Sequence, residues 1–101
     1  MKDKQDHFNV LRKIKKFPKS SQRELAKELG FSLGKLNYCL KELRSKGLIK
    51  IENFKKNPNK INYIYILTPK GISEKTKLTL NFMKLKMKEY DELKKEINKK
   101  N

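Results

Sequence analysis

No tryptophan, one cysteine (Cys39) and one histidine (His7) occur among the 101 residues of this chain. A lone cysteine excludes an intramolecular disulfide and fits a reducing compartment. No Cys, Asp or Glu stands at metal-ligand spacing from His7, so no metal, cofactor or histidine-based catalysis is expected there, and a half-buried structural role suits it. No run approaches the roughly eighteen apolar residues of a membrane span. The charged start, Met1 to His7, leads into no signal-type apolar region, so a cytoplasmic, nucleoid-associated protein without a membrane partner is expected. Acidic residues are also scarce, 11 against 27 Lys and Arg, for a net charge of +16. Residues 1–70 carry 18 basic and 6 acidic side chains, and residues 71–101 carry 9 and 5, so the excess lies mostly in the first part. A field of that sign favours a polyanion, nucleic acid or an acidic membrane surface. The length suits one domain with one modest core.

With only four glycines and three prolines, each one punctuates the chain. Ser21 followed by Glu24 is a capping box. Leu25, Ala26 and Leu29 then fall on one helical face, and Gly30 ends the segment. Ser32 is the next N-cap, Leu36, Cys39, Leu40 and Leu43 form a second apolar stripe, and Gly47 closes it. Two capped amphipathic helices around a short turn with Gly describe a helix-turn-helix, whose second helix enters the DNA major groove. Cys39 lies on the inward face as a small core residue.

Residues 3–17 read as a preceding helix, with Val10, Leu11, Ile14 and Phe17 on one face and His7 extending the stripe one turn back. Pro18 closes it. After Gly47 the composition changes. Leu48 to Ile51 and Ile61 to Leu67 are rich in Ile and Tyr, as strands are, and the polar stretch Asn53 to Lys60 between them reads as a turn. The result is a basic β-hairpin wing whose tip carries Lys55, Lys56 and Lys60, placed for phosphate or minor-groove contact. Thr68-Pro69 then opens a helix that can run to about Asn98, roughly 45 Å at 1.5 Å per residue. Its apolar residues spread too widely for one small domain to cover. The first turns are read as packing on the chain's own core. Met83, Met87, Tyr90, Leu93 and Ile97 are read as a homodimer interface, with Met83, Tyr90 and Ile97 at seven-residue spacing; a helix folded back on its own domain is the alternative. The last residues, 99–101, are expected to fray.

The expected fold is therefore mainly α with a small β-hairpin: a winged helix-turn-helix of three helices and a two-stranded wing over residues 1–68, then a long C-terminal dimerisation helix over residues 69–101 of the same domain. On the second helix of the motif, Gly34, Tyr38, Lys41 and Ser45 face outward, flanked by Lys35 and Asn37. Asn37 suits adenine N6 and N7, while Lys35 or Lys41 suits guanine or phosphate. Tyr38 suits a sugar, a thymine methyl or a phosphate. The bare Gly34, which costs up to about 1 kcal/mol relative to Ala, either lets the helix approach the groove closely or is simply tolerated in a first turn, and the two readings stand level. Ser21, Gln22 and Ser32 stand at helix N-termini, where phosphates bind; capping serves Ser21 and Ser32 equally well.

This order, with Leu67-Thr68-Pro69-Lys70-Gly71 opening the long helix, resembles the MarR-type winged-helix regulators. The run Gln22 to Gly30, with Ser32-Leu33-Gly34-Lys35-Leu36-Asn37-Tyr38-Cys39-Leu40 and Leu43 to Ile49, is most similar to a small bacterial subgroup that accompanies exopolysaccharide (EPS) biosynthesis genes. The resemblance covers about residues 8–95. It implies a homodimer whose recognition helices enter successive major grooves of a pseudo-palindromic operator, with Ser32, Gly34, Lys35, Asn37 and Tyr38 facing DNA and Lys55 to Lys60 on the wing. Larger MarR proteins have helices at both ends that build the dimer and a ligand pocket. The short N-terminal part here leaves the dimer mostly to one C-terminal helix and leaves any small-molecule effector unassigned.

Other classes stay open at this level. A non-specific architectural or RNA-binding protein would bind mainly by counterion release, with little gap between specific and random sequence. A winged-helix adaptor would tolerate charge reversal at Lys41 and the wing. An enzyme is not expected, because no phosphate-cradling glycine loop and no nucleophile–base pairing is found.

Overall fold

A computed structural model describes the backbone of residues 2–57 and 60–99 and the side chains of residues 4–52 and 64–99. Pro58 and Asn59 at the wing tip, the side chains of Lys55, Lys56 and Lys60, and the expected fraying at Lys100 and Asn101 therefore lie outside the described residues. The order is α1 (Lys2–Lys16), α2 (Gln22–Leu29), α3 (Leu33–Ser45), β1 (Ile49–Asn57), β2 (Lys60–Leu67) and α4 (Pro69–Lys99). This is a mainly helical winged helix-turn-helix followed by a long helix, as the sequence suggests.

Local chemistry sets the boundaries of the helix-turn-helix. The Glu24 N–H donates to Ser21 Oγ at 3.1 Å, and the Ser21 N–H donates back to Glu24 Oε1 at 3.4 Å, so the capping box is closed in both directions. Ser32 Oγ accepts from the Lys35 N–H at 3.1 Å, starting α3. Both helices end in the same way. Gly30 and Gly47 take positive φ values of 70° and 72°, where an L side chain is strained. The N–H of each glycine reaches back to the carbonyl three residues earlier, Lys27 or Arg44. The next N–H, of Phe31 or Leu48, reaches the carbonyl five residues back, Ala26 or Leu43. That pair of bonds is the Schellman arrangement, which satisfies carbonyls that the helix leaves unpaired.

The core lies where α1, α2, α3 and the base of the wing meet. Val10, Leu11, Ile14, Leu25, Leu36 and Leu43 are fully buried, with Cys39, Leu40, Leu48, Ile49, Tyr65 and Leu67 packed around them. Two details depart from the sequence reading. Phe17, assigned to the inward face of α1, is 42% exposed; α1 stops at Lys16, and Phe17 stands past its end, next to the turn at Pro18 and Lys19. Phe8 is buried instead and stacks on Phe82 of α4, with ring centroids 5.0 Å apart. The polar stretch read as a turn over residues 53–60 is mostly strand. β1 pairs antiparallel with β2 from Ile49↔Leu67 through Lys55↔Ile61, then shifts register before Asn57↔Lys60. Ladder hydrogen bonds use backbone groups only, so Asn53, Lys55 and Lys56 can extend a strand despite low β propensity.

α4 is seated through its first turn. Thr68 is its N-cap, with Oγ1 accepting from the Gly71 N–H at 3.0 Å while its hydroxyl donates to the Gly47 carbonyl at 2.6 Å. The Thr68 N–H donates to the Leu48 carbonyl at 3.0 Å. Gly71 is buried with its Cα against that same carbonyl, and a Cβ placed there would overlap the Leu48 backbone. Leu78 is buried and Phe82 half-buried, but every side chain from Met83 to Lys99 is exposed, so the rest of α4 extends beyond the domain and the molecule measures 69 × 26 × 20 Å. Gly71→Ala should lower stability by about 1–3 kcal/mol, a loss of roughly 4–20 °C in Tm for a domain of this size. An unchanged melting midpoint would show that α4 is not held by this contact.

Candidate nucleic-acid interface

α3 separates its residues by chemistry. Leu36, Cys39, Leu40 and Leu43 are buried, whereas Gly34, Asn37, Tyr38, Lys41 and Ser45 form an exposed face opposite them. The separation follows from the helical period, because the buried four fall within one arc of the helix circumference. Tyr38 is 55% exposed, although a tyrosine this large could bury much of its ring. Nothing lies within 4 Å of where a Cβ on Gly34 would stand, so the surface there is open and flat. Lys41 forms no ion pair with another described residue.

The remaining predicted site residues are placed as follows. Ser32 is exposed at the start of α3, and its side chain serves as the cap. Gln22 begins α2, and its Nε2 donates to the Tyr65 hydroxyl of β2 at 2.6 Å. The side-chain amide thus ties the helix-turn-helix to the base of the wing. Lys35 stands on the flank of α3, with Nζ 3.3 Å from Asp6 Oδ2 of α1 and 4.3 Å from the centre of the Phe31 ring. Lys55, Lys56 and Lys60 belong to the wing strands by backbone, at the end of the hairpin farthest from the core. Met83, Met87, Tyr90, Leu93 and Ile97 are each 53–68% exposed. They form one stripe on α4, and Ile72 and Leu80, also exposed, continue it toward the domain.

The sequence reading missed three contributors. Tyr65 is buried yet presents its hydroxyl to Gln22. Asp6 and Phe31 occupy Lys35 from two sides. Only the strand alternation around Tyr65 could have announced its inward position; the Asp6 contact of Lys35 depends on how α1 crosses α3, while Phe31 stands four residues before the lysine. Among the described residues no group of three or more His, Cys, Asp or Glu side chains could hold a metal ion, and no helix is long and apolar enough to cross a membrane.

Residues 7–50 match a family model described as winged helix-turn-helix DNA-binding. No curated protein matches the sequence. Several solved structures share the fold, three of them as follows. Staphylococcus aureus MarR in complex with salicylate and kanamycin superposes with a TM-score of 0.66 at 23% identity, over 85% of this chain and 56% of that one. The chain thus spans little more than half the length of that protein. A MarR family transcription regulator gives 0.67 at 16% identity, over 93% of this chain and 68% of the other. A point mutant of S. aureus MepR bound to an oligodeoxyribonucleotide gives 0.64 at 19% identity, over 93% and 74%.

Gly34→Ala should raise stability by up to about 1 kcal/mol, since the site is helical, exposed and open. A stabler protein that binds duplex DNA less tightly is the expected pair of results. Equal binding with the same gain would remove close approach as the reason for the glycine. The match over the helix-turn-helix and the three superpositions lead to one conclusion: this chain has the winged helix-turn-helix fold seen in MarR-type regulators.

Proposed function

We propose that this chain is a sequence-specific DNA-binding transcriptional regulator of the MarR type, which occupies a pseudo-palindromic operator as a homodimer. The observation that carries the proposal is the polar, exposed face of α3, set on a fully packed apolar face of the same helix. A recognition helix needs both: a rigid seat on one side and base-reading side chains on the other. The oligodeoxyribonucleotide bound by the structurally similar MepR mutant supports duplex DNA as the partner.

In this reading Asn37 pairs with an adenine edge, Lys41 reaches guanine or phosphate, and Tyr38 packs on sugar or a thymine methyl. Lys35 contacts phosphate from the flank. Ser32 and Gln22 offer N–H groups to phosphates at the starts of α3 and α2; for Gln22 this is the backbone N–H, because its side chain holds Tyr65. Lys55, Lys56 and Lys60 follow the backbone beside the groove and supply sequence-independent attraction. The apolar stripe of Met83, Met87, Tyr90, Leu93 and Ile97, exposed along a helix with no core beneath it, pairs with the same stripe of a second copy. Occupancy of the operator then blocks or aids polymerase. The likeness of residues 22–49 to EPS-associated regulators supports exopolysaccharide genes as the targets.

Two variants test the parts separately. Asn37→Ala should relax preference at one base pair of each half-site at a cost of about 1–3 kcal/mol, read by competition between operator variants. A loss equal on every sequence would show that Asn37 reads no base. Met83→Glu or Tyr90→Glu should give monomers in sedimentation, and a wild-type mass in both would move the dimer contact elsewhere.

A further inference from the structure

Four ion pairs join described residues, and only one engages a lysine of α3: Lys35 with Asp6. Lys35 is the third residue of the helix. Its position lies about a quarter-turn from the outward face that Gly34, Tyr38 and Lys41 share. From there its ammonium group leans back toward α1, 3.3 Å from the Asp6 carboxylate and 4.3 Å over the Phe31 ring. The Asp6 side chain is 21% exposed and that of Lys35 is 47%, so the carboxylate is the better shielded partner while the lysine keeps access to solvent. The caps of α2 and α3 are Ser21 and Ser32, so neither cap uses Asp6.

We propose that Asp6 is a positioning residue that restrains DNA binding by holding Lys35 off the phosphate backbone, an inference that rests on the DNA-binding reading above. To reach a phosphate oxygen, Lys35 exchanges the Asp6 carboxylate and the Phe31 face for it. The attraction gained is reduced by the attraction given up. Lys41 has no such exchange to make. Because phosphate contacts carry no sequence information, a restraint on one of them lowers affinity for every duplex alike. The ratio between operator and bulk DNA is then set by the base contacts made elsewhere on α3.

The test is a double-mutant cycle on a mixed-sequence duplex of about 30 base pairs, at about 100 mM salt, where an ion pair is still felt across a Debye length of about 10 Å. Asp6→Asn keeps the shape of the side chain and removes its charge. It should tighten binding about two- to fivefold, the range of an exposed ion pair. In a Lys35→Met background the same change should alter binding less than about 1.5-fold, because the lysine through which it acts is gone. Thermal unfolding of Asp6→Asn should stay level or fall slightly while binding tightens, which a purely structural role would not produce. An equal gain in both backgrounds would mean that Asp6 repels DNA on its own and would overturn the proposal, as would weaker binding by Asp6→Asn. Failure of the wild-type chain to bind any duplex would instead remove the DNA-binding reading itself.

Discussion

Three elements meet on two residues. Gly47 and Leu48 end α3, begin β1 and receive the first turn of α4, through the Leu48 N–H to the Leu43 carbonyl and through Thr68 bonded to both carbonyls. Gly71 lies directly against the Leu48 backbone, so α4 has no slack there. The consequence is geometric. The direction of α4 is fixed relative to the end of the recognition helix by backbone contacts, which are less adjustable than side-chain packing. If two copies join through α4, the separation of their two recognition helices follows from this junction. The Gln22–Tyr65 bond extends the same rigidity to the wing, since it ties the first residue of α2 to β2.

The buried part of the structure and its exposed part do different work. Leu11, Ile14, Leu25, Leu36 and Leu43 are sealed in the core and explain why a chain with 38% charged residues folds at all. The polar residues of α3 and the apolar residues of α4 beyond Phe82 contribute nothing to that core. Each is unusual for its location. An open glycine within a helix costs helix stability, and an apolar stripe lies in solvent along α4.

Much of this could be read directly from the residues. Ser21, Glu24, Gly30, Ser32, Gly47, Thr68 and Pro69 act through short-range backbone chemistry, and each marks a boundary that the structure reproduces within a residue or so. The outward face of α3 followed from helical period alone. Three features were less legible because they depend on how separate elements cross. Phe8 is buried through its stacking on Phe82 of a distant helix, and Phe17 is exposed because it stands past the end of α1, where helical periodicity no longer applies. The strand over Asn53 to Asn57 was hidden by polar side chains that leave backbone pairing untouched. The ion pair of Lys35 with Asp6 joins residues far apart in the chain, and no spacing rule announces it.

The most direct test of the central claim, a dimer that reads DNA sequence, is selection of bound duplexes from a random pool at about 150 mM salt, where long-range attraction is largely screened. The account predicts an enriched inverted repeat with half-sites one helical turn apart. Retained binding without any enriched sequence would contradict it and leave a non-specific basic protein in its place.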